Sequence, residues 1–242
     1  RLNKIISFDN LTSAYFGSLF INDKKKLDII YKLFVDKTSF LLKSIGVNIN
    51  TVPVLDLKIK GSSNIIGNRS FSKNKNIVSK IGKICIKFFH ENSIGTVIKH
   101  IPGHGLAKVD SHKLTPIVEN KLKQLNKIDF FPFKNKKSLL AMTAHILYKN
   151  LDRKYPATLS KKIIKLIRNT IKFKGILVTD DISMKGLKYK LPENIKKALE
   201  AGCNLILHCN ANYKEMLIVA KNSPKVNGFI IKKTSQLYKF LS

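Results

Sequence analysis

Three things are scarce in this chain, and each scarcity bears on what the protein can be. Apolar residues never run on for the roughly eighteen positions that a bilayer-crossing helix needs, so neither a transmembrane helix nor a membrane partner is expected. Cysteine occurs only at Cys85, Cys203 and Cys209, an odd number with no C-x-x-C pair. Neither a disulfide framework nor a cysteine-based zinc site fits that pattern, and reduced thiols are expected. Arginine is the third scarcity. Of 45 basic residues only Arg1, Arg69, Arg153 and Arg168 are arginines, and the lysines are spread along the whole chain.

The formal charge of +30 is of the kind that points to nucleic acid. Phosphate and base recognition, however, favours clustered guanidinium groups beside exposed aromatic rings. Lysine, asparagine and isoleucine all have A/T-rich codons, so a biased genome yields the same composition, and no nucleic-acid partner is expected. The 242 residues are enough for one large domain with a substantial core. No linker or low-complexity stretch divides them, so residues 1–242 are read as a single domain. No signal-peptide pattern opens the chain. It begins at Arg1 rather than Met and is expected to continue upstream.

Short apolar runs at residues 51–57, 96–100, 138–146, 175–181 and 204–209 read as strands, and residues 76–91, 160–173 and 193–201 carry helical periodicity between them. Alternation of this kind, in steps of roughly 35 to 45 residues, signals parallel βαβ units. Ser160 is a plausible N-cap, Gly175 a plausible helix stop and Pro192 a good helix opener. The tail after Ser223 is ambiguous, with residues 228–231 readable as a strand and residues 234–240 as a helix. Polar residues mark the strand ends: Asp56, then Lys99 and His100, His145, Asp180 and Asp181, and finally His208 with Asn210. Groups placed this way converge on one rim, where (β/α) barrels keep their active sites.

Residues 99–112 are the densest stretch, with His100, His104 and His112 beside Asp110 and two glycines. A carboxylate two positions before an imidazole can accept its ring N–H, and such a dyad can give and take a proton in turn. Gly103 and Gly105 are expected to let the loop move. Adjacent Asp180 and Asp181 end an apolar strand, and alternation turns only one toward the pocket, leaving Asp181 as the better cap for the next turn. A loop-built metal site on His100, His104 and His112, serving a metal-dependent hydrolase, remains an alternative reading. No H-E-x-x-H spacing supports it. A basic nucleic-acid-binding protein is the other.

The run from Lys99 through Pro116 resembles the K-H-F-P-G-H-G…D-S-H-x-x-x-P signature of bacterial β-N-acetylhexosaminidases of glycoside hydrolase family 3. Val52-Pro-Val-Leu-Asp-Leu57 is similar to the family's A-P-V-L-D-V, Gly67-Asn-Arg-Ser-Phe71 to G-x-R-S-[YF], and Met142-Thr-Ala-His145 with Tyr148 and Pro156-Ala157 to M-x-A-H-[VI]-x-Y…P-A. Thr179-Asp-Asp-Ile-Ser-Met184 and the segment from Ala201 to Asn210 resemble S-D-D-L-S-M and A-G-C-D-x-I-L-x-C-N in the same order. The departures, Ile101 for Phe and Lys108 in the loop, are mild.

The resemblance implies an α/β fold of TIM type, a (β/α) barrel lacking its first two strands in this chain, with Arg1-Leu2 closing the family's D-Q-E-G-G-x-V-x-R-[LF] motif. It implies a retaining exo-glycosidase releasing terminal β-linked N-acetylglucosamine. Asp180 becomes the nucleophile, His112 the general acid/base and Asp110 its orienting partner, while Arg1, Arg69, Lys99 and His100 bind the sugar. It further implies no metal or other cofactor, and a small-molecule glycan substrate, the GlcNAc-containing muropeptide of cell-wall recycling. A cytoplasmic, monomeric enzyme is expected.

Overall fold

The computed structural model describes residues 10–109 and 114–241. Two helices lead, α1 (Ser13–Asn22) and α2 (Lys24–Ser44), capped by the side chains of Thr12 and Asp23. Then follow β1 (Ile49–Asn50), α3 (Lys75–Glu91), β2 (Gly95–Ile101), β3 (Ile117–Val118) and α4 (Leu122–Lys127). The second half holds β4 (Leu140–Thr143), β5 (Leu147–Tyr148), α5 (Lys161–Asn169), β6 (Ile176–Asp181), α6 (Leu191–Ala201), β7 (Leu205–Leu207), α7 (Tyr213–Asn222) and α8 (Gly228–Leu241).

Among the described residues, five strands form one parallel sheet in the order β1-β2-β4-β6-β7. The sheet is a curled half-barrel and not a closed one. β3 and β5 pair separately beyond it, also in parallel. Side-chain alternation divides the sheet. Ile98, Ala141 and Leu177 point to the helices and join the large core with Ile81, Phe89, Ile163 and Ile195. Val97, Leu140, Met142, Ile176 and Val178 point the other way and pack with Leu237, Phe240 and Leu241 of α8. Asp180 lies two residues beyond Val178, so it shares this inner face.

Several boundaries differ from the sequence reading. The first strand forms its ladder at Ile49–Asn50 and continues only as the isolated Val54–Lys99 bridge. Pro53 has no N–H to give, although its carbonyl accepts from Lys99 at 3.1 Å. α5 ends at Asn169, several residues before Gly175. Gly175 is therefore no helix stop. A Cβ there would lie 2.3 Å from the Leu139 carbonyl oxygen, so glycine admits the neighbouring strand. Ser160 does cap α5, accepting the Ile163 amide at 3.2 Å, and Pro192 does lie in the first turn of α6. Residues 228–231 are helical as the start of α8.

Candidate active site

The floor of the rim is Asp56, whose side chain is wholly buried. One carboxylate oxygen accepts the His104 amide at 2.7 Å. The other accepts the His100 amide at 3.1 Å and lies 2.6 Å from His100 Nδ1. Burial alone would raise its pKa, but attraction to His100 and the hydrogen bonds from His100 and His104 outweigh it, and the net direction is down. An ionised carboxylate at 2.6 Å makes Nδ1 of His100 the donor. The opposite ring nitrogen, Nε2, then faces Asp180 Oδ2 at 3.8 Å. Asp56, His100 and Asp180 thus form a line from the floor to the pocket. The Lys99–His100 and Ile101–Pro102 peptides at this strand end are cis.

Asp180 and Asp181 diverge as strand alternation requires. Asp181 caps the turn after β6, accepting the Ser183 amide at 3.1 Å, its hydroxyl at 2.8 Å and the Cys209 amide at 3.3 Å. Asp180 faces inward, with Oδ1 accepting the Asp181 amide at 2.9 Å. Its burial would raise the pKa, yet His100, His145, the Asp181 amide and Lys99 together hold it below the ordinary carboxylate value. Asp180 is therefore a largely buried carboxylate that stays charged near neutrality.

His145 is a supporting post. Its Nε2 donates to the Asp181 carbonyl at 3.0 Å, so Nδ1 is the acceptor for Thr158 Oγ1 at 2.7 Å. Burial pushes its pKa down, consistent with a neutral ring. His208 turns away from this group toward α7. Its Nε2 lies 2.8 Å from Glu215 Oε2, which also accepts from Asn210 at 2.6 Å. Four of the five strand ends therefore meet, and the fifth serves a helix contact.

Lys99 projects beside the rim, its Nζ 3.0 Å from Thr51 Oγ1. Lys99 and Arg69 line one cleft of about 640 Å³ together with Asn50, Thr51, Asn64 and Asn68. Arg69 is steadied by the Ile65 carbonyl at 3.4 Å. Arg1, Asp110 and His112 lie outside the described residues. His104 is buried, and burial followed by the neighbouring His100 pushes its pKa down to about 4. Its ring packs edge-on against His100 with centroids 5.6 Å apart. Among the described residues no group of three or more histidine, cysteine, aspartate or glutamate side chains is placed to hold a metal ion.

The two loop glycines meet a packing requirement that the sequence does not reveal. A Cβ at Gly103 would lie 2.6 Å from the carboxyl carbon of Asp129, and one at Gly105 would lie 2.8 Å from both Asp129 Oδ1 and the Leu57 carbonyl oxygen. They permit close packing at the root of the loop. Asp129 itself was invisible to the sequence reading, because a single aspartate in Lys127-Ile-Asp-Phe-Phe-Pro132 carries no motif. Thr158, which orients His145, was equally silent.

Similarity to known proteins identifies the family. The glycosyl hydrolase family 3 N terminal domain matches residues 21–232. The chain belongs to glycosyl hydrolase family 3. A β-hexosaminidase of Neisseria meningitidis serogroup C is 34% identical to it over 175 residues, covering 70% of this chain and 48% of the relative. The chain thus spans about half the length of the curated relatives it matches. NagZ from Neisseria gonorrhoeae, solved in complex with N-trifluoroacetyl-D-glucosamine, superposes with a TM-score of 0.82 at 25% identity, covering 93% of this chain and 66% of that one. A family 3 β-N-acetylglucosaminidase from a Paenibacillus species gives a TM-score of 0.77 at 26% identity, covering 89% and 43%. Among the described residues of this family 3 chain, no helix is long and apolar enough to cross a membrane.

Proposed function

We propose that this chain forms the catalytic rim of a β-N-acetylhexosaminidase, a retaining exo-glycosidase that hydrolyses terminal β-linked N-acetylglucosamine. The observation that carries this reading is Asp180, an ionised carboxylate on the inner face at the end of β6, 3.8 Å from a histidine anchored from behind by Asp56. In the first step Asp180 attacks the anomeric carbon while the bond to the aglycone oxygen breaks and His112 protonates that oxygen. In the second step His112 takes a proton from water, whose oxygen displaces Asp180 and releases the sugar. Asp110 orients His112. A histidine acid passes from cationic to neutral when it gives up its proton, so the step leaves no second anionic group in the pocket. Arg1, Arg69, Lys99 and His100 hold the sugar, and no step in this route calls on a metal or other cofactor.

The β-hexosaminidase relatives support this substrate class. We assign the natural substrate to GlcNAc-anhydroMurNAc peptides from peptidoglycan, cleaved in the cytoplasm during cell-wall recycling by a monomer. Asp180→Ala or His112→Ala is expected to abolish aryl release from a β-GlcNAc aryl glycoside, and normal turnover in either variant overturns the mechanism. For the substrate, the disaccharide-peptide should have a higher kcat/KM than chitobiose, and the reverse order overturns that assignment.

A further inference from the structure

Asp129 follows α4, just ahead of the short turn at residues 131–133, and its side chain is completely buried. Oδ1 accepts the Gly105 amide at 3.1 Å, and the Leu106 amide also faces the carboxyl. Oδ2 has no hydrogen-bond partner. The glycines at 103 and 105 leave just enough room for this carboxyl group. The Tyr148 hydroxyl donates to the Gly103 carbonyl, tying down the same turn from β5. Asp56 takes the preceding amide, that of His104. Consecutive amides at the root of one loop are thus held by two separate buried carboxyl groups.

Their charge states differ. Asp56 is ionised, whereas burial and then the repulsion of Asp56 push Asp129 up to about 8, so it is mostly neutral at pH 7. A neutral carboxyl group tolerates an unpartnered oxygen far better than a carboxylate does. Asp129 is therefore neither a spare nucleophile nor a ready cation ligand. What it offers is one fixed acceptor aimed at the loop.

We propose that Asp129 is a positioning residue which, together with Asp56, clamps the backbone at His104 and Gly105 and so fixes the loop root that precedes Asp110 and His112 in the sequence. Its effect on catalysis rests on the reading above that this loop supplies the proton. The clamp itself does not depend on that reading.

Hydrogen–deuterium exchange and kinetics on the protein, Asp129→Ala and Asp129→Asn separate the two claims. The peptide spanning residues 103–106 should exchange at least about tenfold faster in Asp129→Ala, and at close to the parent rate in Asp129→Asn, whose carbonyl still accepts from Gly105. Peptides from α6 should not change. On the aryl glycoside, Asp129→Ala should lose about thirtyfold in kcat with KM held within about threefold, and Asp129→Asn should recover to within about threefold of the parent kcat. If Asp129→Ala does not fold, Asp129→Ser, too short to reach the Gly105 amide, is read in the same way. Unchanged exchange at 103–106, or exchange equally fast in Asp129→Asn, overturns the clamp. Faster exchange with unaltered kcat overturns its catalytic role. Failure of the unsubstituted protein to cleave the glycoside overturns the proposed function and leaves the exchange result to decide the clamp.

Discussion

The two ends of one inner sheet face make the most instructive contrast in this molecule. At the N-terminal ends of the strands, Val97, Leu140 and Ile176 pack with Leu237 of α8 in one apolar cluster. Two to four residues further along the same strands, that face presents Lys99 and Asp180, with His100 beside them. The ladder is regular at the base, whereas at the rim β2 carries the cis Lys99–His100 and Ile101–Pro102 peptides and both β2 and β6 shift register. Parallel strands deliver every C-terminus to the same rim, so chemistry gathers at one end while the other is free to be pure core. Substitutions at the rim should therefore cost rate, and substitutions at the base should cost stability.

The largest break in that comparison is Asp180→Asn, which keeps the shape but removes the charge. It should lower kcat by at least about 1,000-fold with the thermal midpoint nearly unchanged, checked by aryl glycoside kinetics beside a melting curve. Asp56→Ala tests the one rim residue that belongs to both categories. It strands the amides of His100 and His104 and releases the His100 ring. A loss of about 3–5 kcal/mol is expected for removing one partner of a buried pair, together with loss of activity, read by urea unfolding and kinetics.

Leu237→Ala is the converse case at the base. Leu237 is 6% exposed, and emptying such a site costs about 2–4 kcal/mol. Turnover per folded molecule should be unaffected, and a loss of rate greater than the loss of folded protein would erase the distinction between the two ends. Asp129 gives a subtler signal. Its carboxyl group ionises near the ordinary value when unfolded but only at about 8 when folded. Folding therefore favours the protonated form, and stability should fall as pH rises between those two values. Asp129→Asn should flatten that slope across pH 4 to 8, as measured by unfolding at several pH values. The smallest effect is Lys149→Ala. Its 2.6 Å pair with Glu119 is exposed on both sides, so the urea midpoint should stay at the parent value.

How much was legible in the sequence follows from the same contrast. The rim could be read because its residues are chemically rare. Asp56, His100, His145 and Asp180 stood out at the ends of apolar runs, and the family's motifs ran through them in order. Alternation set Asp180 and Asp181 on opposite faces, and its place at the start of the turn made Asp181 the better cap. What could not be read were interactions between residues far apart in sequence. His208 looked like a fifth rim group until Glu215 on α7 proved to hold it. Gly103 and Gly105 read as hinges in the sequence, and their close approach to Asp129 shows only once the chain is folded. Pro53 shortened β1 by removing one donor, and the Leu139 carbonyl explains Gly175 where helix punctuation did not. Gly228-Phe-Ile-Ile231 read as strand-like on its own, yet it opens α8, whose later residues Leu237, Phe240 and Leu241 pack on the inner face.

The central claim is that Asp180 is the nucleophile of a retaining reaction. Proton NMR of the first sugar released from a β-GlcNAc aryl glycoside tests it most directly, before mutarotation scrambles the anomers. The β-anomer should appear first, through two successive inversions at the anomeric carbon. An α-anomer as the initial product would mean that water, and not Asp180, makes the first attack, and would contradict the account.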